Sequence, residues 1–305
     1  MANRTSVKVA SAQYPIDQPA SLEEWRDKIA RWVAEGAETG AEILVFPEYA
    51  AIEQAATFGP DVSGSLEETL KVVADLERER VALHAELAAQ HKVHILVGSG
   101  PARKADRYVN AAQLVTPKGS VGVQEKCIMT PFERDWGMSP GGNLRVFDTA
   151  VGLISIAICY DSEFPLLVRA MAEAGAEIVL VPSCTERVAG FHRIRTGSRA
   201  RALENQIATV VSSTIGDALW SPAVDRNTGS SGIFVPSEHT VAEDGVLAEG
   251  PLNVAQWVSA EISLTHLRHL RGEGEMRNFV DWSYQPGVED LSHKAEVLTI
   301  SEGGY

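Results

Sequence analysis

Three scarcities narrow this sequence before any motif is read. Cysteine occurs three times in 305 residues. So few, and an odd number, build no disulfide framework. Free thiols suit a reducing compartment, so a cytoplasmic protein is expected. Long apolar runs are also missing. No stretch is long enough to cross a bilayer, and Met1-Ala2-Asn3-Arg4 leads into a strand pattern at Val7 without an apolar leader core. Cations are outnumbered: 27 Lys and Arg stand against 41 Asp and Glu, a formal net charge of −14. That balance argues against nucleic acid or an anionic membrane as partner. No Gly-rich phosphate loop precedes a helix, and no His-Glu-x-x-His occurs. His91 and His94 are three apart, but no third ligand type stands nearby at a zinc-site spacing. A metal at those histidines is not expected.

What is present reads as an α/β chain with strands in one layer and helices in another. Nothing in the middle resembles a linker. One domain over residues 1–271 is expected, followed by a polar, irregular extension over 272–305 that packs on the domain or on a partner subunit. Strands are expected near Val7–Ala12, Ile43–Phe46 and Val93–Ser99, the last ended by Gly98 and Gly100. Ser21 followed by Glu24 starts a helix. Ser65 to about Lys92 reads as one long amphipathic helix. A hairpin crosses Pro117-Lys118-Gly119. The segment 124–137 mixes charge, aromatics, Pro and Gly, and reads as irregular. Two strands then lead to Cys159, and a helix begins at Pro165.

Three polar residues stand at the ends of these elements: Glu48, Lys126 and Cys159. For Glu48, a solvated loop position and a buried functional carboxylate both stay open. Cys159 follows an apolar run and precedes a helix start. A small buried filler and a nucleophile favoured by that helix start are both consistent with this. Cys127, beside Lys126, competes as nucleophile but lacks the strand-to-helix turn. Amide hydrolysis needs the chemistry these three could supply together. A thiol attacks the carbonyl, a base takes its proton and later activates water, and a cation or amide holds the oxyanion. Spacing in sequence does not establish that the three converge.

The segments Phe46-Pro47-Glu48-Tyr49, Glu125-Lys126 and Cys159-Tyr160-Asp161-Ser162-Glu163-Phe164-Pro165 resemble the three signatures of the nitrilase (carbon-nitrogen hydrolase) superfamily, in the family's order. Arg199-Ala200-Arg201-Ala202-Leu203-Glu204-Asn205 and the strand from Gly232 to Pro236 also match. The resemblance covers roughly Val7 to Glu261. It implies a four-layer αββα sandwich, two copies packed as a homodimer or higher homo-oligomer, and no cofactor. It implies Cys159 as nucleophile, Glu48 as general base and Lys126 as oxyanion stabiliser, with the Tyr160 amide as a second donor. Glu133 matches a second glutamate that positions the lysine, although its loop departs from the usual amidase wording. The Cys-Tyr-Asp-x-x-Phe-Pro form resembles the amidase and carbamoylase branches, whereas nitrilases usually carry Cys-Trp-Glu. The expected substrate is therefore a small linear amide, with an N-carbamoyl compound or a nitrile as alternatives. An acyl transferase and a non-catalytic binding member of the fold are the alternatives of another class. Tyr49, Phe132, Trp136 and Cys184 are candidates for the substrate pocket, each equally readable as core packing. Arg187, Arg193 and Arg195 could hold a substrate carboxylate or form a solvated helix face. Gly229-Ser230-Ser231-Gly232 has no partner lysine nearby and reads as a strand start.

Overall fold

The computed structural model describes residues 4–285 and 295–299. The chain opens with β1 (Ser6–Pro15), α1 (Leu22–Glu38) and β2 (Ile43–Val45). Ser21 caps α1 by accepting the Glu24 amide at 3.1 Å. Short helices α2 (Glu53–Ala56) and α3 (Pro60–Ser63) lead to α4 (Leu66–Asp75) and α5 (Glu77–His91). Next come β3 (His94–Lys104), β4 (Arg107–Val115), β5 (Val121–Glu125), α6 (Pro131–Asp135) and β6 (Met138–Ser139).

The second half begins with β7 (Leu144–Thr149), β8 (Gly152–Ile156), α7 (Pro165–Glu173) and β9 (Ile178–Ser183). It continues through α8 (Val188–Asn205), β10 (Ala208–Asp217), β11 (Arg226–Asn227), β12 (Gly232–Phe234) and β13 (Val246–Glu249). It closes with β14 (Gln256–Ser263), α9 (Leu264–Glu273), α10 (Asn278–Asp281) and β15 (Ala295–Thr299).

Among the described residues the strands join in the order β15-β7-β8-β9-β10-β1-β2-β3-β4-β5, with β14 antiparallel to β1 and β12 antiparallel to β10. The two halves meet where Gln13–Pro15 of β1 runs parallel to Ser213–Ile215 of β10. Strand alternation sorts the layers. Val7, Val9, Ile43, Val45, Leu96 and Leu114 join Val146, Ile154, Ile178 and Leu180 in one core. The alternate residues Ala10, Ala12, Tyr14, Leu44 and Ile95 face Trp25, Ile29 and Val33 of α1 and Leu83 and Leu87 of α5. Val168 and Met171 of α7 and Ile194 and Ala202 of α8 cover the other sheet. The result is the expected αββα sandwich. Each fully buried Val, Leu or Ile contributes roughly 1.5–3 kcal/mol.

Four local expectations change. The single helix over Ser65–Lys92 is two helices that turn at Leu76. The Val73 carbonyl at this break accepts the buried Arg80 guanidinium at 3.0 Å, and Arg80 also reaches Gln54. A carbonyl served by a side chain needs no place in the helical ladder. The third strand does not stop at Ser99 but continues to Lys104, with a register shift between Leu96 and Ser99. The segment after Thr130 contains a short helix with a complete capping box. From Gly272 on, the chain is not wholly irregular. Phe279 of α10 and Trp282 just after it pack against Arg169, with the guanidinium 4.4 and 4.6 Å from the two rings. β15 runs parallel to β7. The remainder of the 272–305 extension, residues 286–294 and 300–305, lies outside the described residues, as do residues 1–3.

No helix among the described residues is long and apolar enough to cross a membrane. A buried polar cluster fastens α1 to α2. Lys28 pairs with Glu53 and donates to the Pro15 carbonyl at 2.6 Å, while Tyr14 donates to Glu53 at 2.7 Å.

Candidate active site

Glu48 follows β2 in a turn that the neighbouring strand makes possible. The Tyr49 amide donates to the Ser99 carbonyl at 2.6 Å, and Ser99 donates to the Pro47 carbonyl at 3.3 Å. Gly98 bulges here with φ +88°, and a Cβ on it would lie 2.1 Å from the Pro47 oxygen. Only glycine allows so close a passage of backbone on backbone. The turn leaves Glu48 1% exposed.

Lys126 leaves the end of β5, its amide bonded to the Asn110 carbonyl at 2.8 Å. It is also 1% exposed. Its ammonium lies 2.7 Å from Glu48 Oε1 and 2.7 Å from Glu133 Oε2. Glu133 is held by its own cap, since Oε2 accepts the Thr130 amide and hydroxyl at 2.9 and 3.0 Å. Its Oε1 accepts the Tyr49 hydroxyl at 2.7 Å. The side-chain amide of Asn110 donates to both carboxylates, at 2.9 Å to Glu48 and 3.0 Å to Glu133.

Cys159 stands on a sharp turn after β8. Its φ is +48°, a left-handed conformation that costs energy in a residue other than glycine. Ser162 donates to the Cys159 carbonyl at 2.7 Å. Asp161 accepts the Cys127 and Ile128 amides at 3.0 and 2.8 Å, tying the cysteine turn to the residues after Lys126. Cys184, at the end of β9, links Cys159 and Glu48 through its backbone. Its amide donates to Glu48 Oε2 at 3.0 Å, and its carbonyl accepts the Cys159 thiol at 3.7 Å.

The electrostatics follow from burial around one cation. Burial raises the Glu48 pKa, against the attraction of Lys126. Burial works against the Lys126 ammonium, but Glu48 and Glu133 outweigh it, so its pKa lies above its ordinary value. For Glu133 the attraction of Lys126, with its hydrogen bonds, overcomes burial, and its pKa is lowered. Burial, then the charge of Glu48, raises the Cys159 pKa well above its usual value. Both effects favour the neutral thiol over the thiolate. Burial and Glu48 outweigh the single cation.

The structure thus gathers Glu48, Lys126, Cys159, Glu133 and the Cys184 backbone. Tyr49 and Trp136 lie beside them, ring centres 5.8 Å apart. Tyr160 packs edge-on against Phe164. Phe132 is on the outer side of α6, 64% exposed. Cys127 lies outside the cluster, its thiol near the Glu125 and Gly142 carbonyls, with a pKa pushed up to about 12 by burial. Arg187, Arg193 and Arg195 are paired with Glu186, Glu163 and Glu249. Ser230 and Ser231 donate to the Gly250 and Ala12 carbonyls. Among the described residues, one trio could bring metal-ligating atoms together, Glu238, His239 and Glu275 at the surface.

Residue-by-residue reading missed Asn110, Thr130 and Asn227, which accepts the Cys184 thiol at 3.2 Å. Thr130 left a signal, the Thr-x-x-Glu spacing to Glu133. Asn110 left a weaker one, an amide within the apolar run from Val109 to Ala112.

An αββα sandwich that gathers carboxylate, ammonium and thiol from the ends of β2, β5 and β8, together with a family profile over most of the chain, places this chain in the nitrilase superfamily. Within it, the chain belongs to the carbon-nitrogen hydrolase family, whose profile matches residues 8–268. It is 36% identical over 276 residues to the probable hydrolase YhcX of Bacillus subtilis, covering 90% of this chain and 53% of that one. The chain thus spans about half the length of that relative. It is 24% identical over 265 residues to the omega-amidase NIT2-A of Xenopus laevis, covering 82% of this chain and 87% of that one. A carbon-nitrogen hydrolase from Helicobacter pylori shares the fold with a TM-score of 0.73 at 20% identity, over 88% of this chain and 92% of that one. An amidase from Nesterenkonia does so with a TM-score of 0.67 at 22% identity, over 92% and 98%.

Proposed function

We propose that this protein hydrolyses a small linear amide to a carboxylic acid and ammonia or an amine, through a thioester on Cys159. The observation that carries this reading is the Lys126 ammonium, buried and held at 2.7 Å by both Glu48 and Glu133, with the Cys159 thiol bonded to the Cys184 carbonyl in the same cluster. The omega-amidase and amidase relatives support an amide as the substrate class.

The chemistry follows from the protonation states. Because burial favours the neutral thiol, it needs a base at the moment of attack. Glu48, its proton affinity raised by burial, takes that proton while sulfur bonds to the carbonyl carbon. The oxygen of the tetrahedral intermediate becomes negative beside Lys126, whose charge the two carboxylates preserve. The Tyr160 amide is the second donor to that oxygen. Glu48 then gives its proton to the departing nitrogen, and the carbon-nitrogen bond breaks. Water enters, Glu48 removes its proton, and hydroxide adds to the thioester. The carbon-sulfur bond breaks, releasing the acid, and Glu48 returns its proton to the departing sulfur, restoring the thiol and the carboxylate. Glu133 keeps Lys126 aimed throughout, and Tyr49 and Trp136 wall the acyl side.

The test is mass spectrometry of the intact protein after brief incubation with short linear amides such as butyramide, combined with ammonia release. A mass gain equal to the acyl group on the Cys159 peptide is expected. Cys159→Ala, Glu48→Gln and Lys126→Ala should each lower turnover by roughly a thousandfold or more while retaining the fold, as residues acting as a unit do. Wild-type turnover in any of the three would refute the assignment. Product formed only when hydroxylamine is added would favour acyl transfer.

A further inference from the structure

We propose that Asn110 is the positioning residue of this site: its side-chain amide bridges the two carboxylates, and its backbone carbonyl holds the lysine. The inference rests on the reading of Glu48 as the base. Asn110 lies within β4, opposite Pro101 of β3, and is fully buried. Its Nδ2 donates to Glu48 Oε1 at 2.9 Å and to Glu133 Oε1 at 3.0 Å, and its carbonyl accepts the Lys126 amide at 2.8 Å. Three charged groups from three elements are thereby referred to one residue.

The chemistry fixes which way the amide points. Turned over, its oxygen would face two carboxylate oxygens at about 3 Å and repel both. The NH2 must face them, one hydrogen to each. That orientation leaves Asn110 Oδ1 buried with no partner. An unpaired buried acceptor destabilises the fold. A residue kept only to fill the strand would avoid that loss by being apolar. The two donated bonds are what the amide contributes in return.

Those bonds have a directional consequence. Glu48 Oε1 accepts from both Lys126 and Asn110, whereas Oε2 accepts the Cys184 amide and retains acceptor capacity. Asn110 therefore fills the oxygen on the lysine side and leaves Oε2 to take the thiol proton. The titratable groups around Glu48 are Lys126 after β5, Glu133 on α6, Tyr49 next in the chain, Cys159 after β8 and Cys184 after β9. Donation by a neutral amide favours the ionised carboxylate over the acid. Without it, Glu48 takes a proton more readily, and the acid limb of the reaction moves to higher pH.

Asn110→Leu keeps the volume and removes both donors; Asn110→Ser keeps one donor and serves where the leucine variant fails to fold. Two pH profiles are measured for each variant and for wild type: kcat/KM for butyramide, and the rate of Cys159 alkylation by iodoacetamide. The expected result is a loss in kcat/KM of about a hundredfold from misplacement of the reacting groups. The acid limb of both profiles should move up by about one pH unit, and less in the serine variant. A variant that melts at lower temperature but keeps the wild-type acid limb in both profiles would overturn the proposal, because a merely structural role predicts that pattern. Should the wild-type protein alkylate normally yet leave butyramide untouched, the amide reading fails for that substrate. The alkylation profile then still decides the role of Asn110.

Discussion

Asp161 is buried between the two loops that carry Cys159 and Lys126, and it serves two amides with one carboxylate. Burial pushes its pKa up to about 7 from an ordinary 3.8, against the two amides and Lys126. Between those values the folded chain holds a proton that the unfolded chain has released. Stability from this group therefore falls as pH rises from about 4 to about 7 and is level above that. Asp161→Asn removes the titration. Its melting temperature should vary less across that window than the wild type's, and equal slopes would refute the assignment. The variant also offers one acceptor where two amides wait, a loss of about 1–3 kcal/mol. The sequence made Glu48, Lys126 and Cys159 legible because each stands where a strand ends, and a family wording surrounds each. Asp161 was visible only as part of that wording. Asn110 was hidden because an amide inside a strand carries no local mark of what it faces; its partners lie 62 and 23 positions away in sequence.

At the scale of elements, the bulge in β3 determines where Glu48 stands. Gly98 has φ +88°, and its Cα faces the Pro47 carbonyl with no room for a methyl group. Gly98→Ala must push the Pro47–Glu48 turn away or straighten β3, breaking the bonds between Ser99 and its neighbours. We expect a destabilisation of about 3 kcal/mol or more, typical of strain at a special backbone position combined with overpacking. Amide turnover should fall further than stability alone explains, because Glu48 is displaced from Lys126. Urea unfolding and turnover measured on the same preparation check this, and a variant with wild-type values in both would refute it. The sequence showed two glycines here, and the usual meaning of glycine in an apolar run is an end. The strand passed through them because its partner β4 continues to pair with it as far as Lys104. The break at Leu76 was hidden for a related reason. The helical pattern continues across it, and the competing partner for the Val73 carbonyl is a side chain seven residues on.

The whole molecule assembles its site from two halves that meet along β1. Glu48, Asn110, Lys126 and Glu133 come from the half built on β1 to β5; Cys159 and Cys184 come from the half built on β7 to β10. The seam joins Gln13–Pro15 of β1 to β10 in parallel and Ser6–Gln13 of β1 to β14 in antiparallel, and buried hydroxyls reinforce its β10 side. Ser212 and Ser231 both donate to the Ala12 carbonyl at 2.7 Å, and Ser11 donates to the Val211 carbonyl at 2.6 Å. All three serines are fully buried. A shared apolar core holds the halves together, but apolar contact does not fix register as a directed hydrogen bond does. The double variant Ser212→Ala, Ser231→Ala removes both hydroxyl donors from the Ala12 oxygen while leaving the apolar core intact. A loss of about 1–3 kcal/mol is expected for the buried acceptor, lowering the melting temperature by a few degrees. More tellingly, rising urea should abolish amide turnover in the variant before the far-UV circular dichroism changes, because Cys159 and Glu48 sit on opposite sides of the loosened seam. In the wild type the two signals should be lost together, as in a single cooperative transition. Coincident curves in the double variant would mean that strand pairing and core packing hold Cys159 against Glu48 without these hydroxyls.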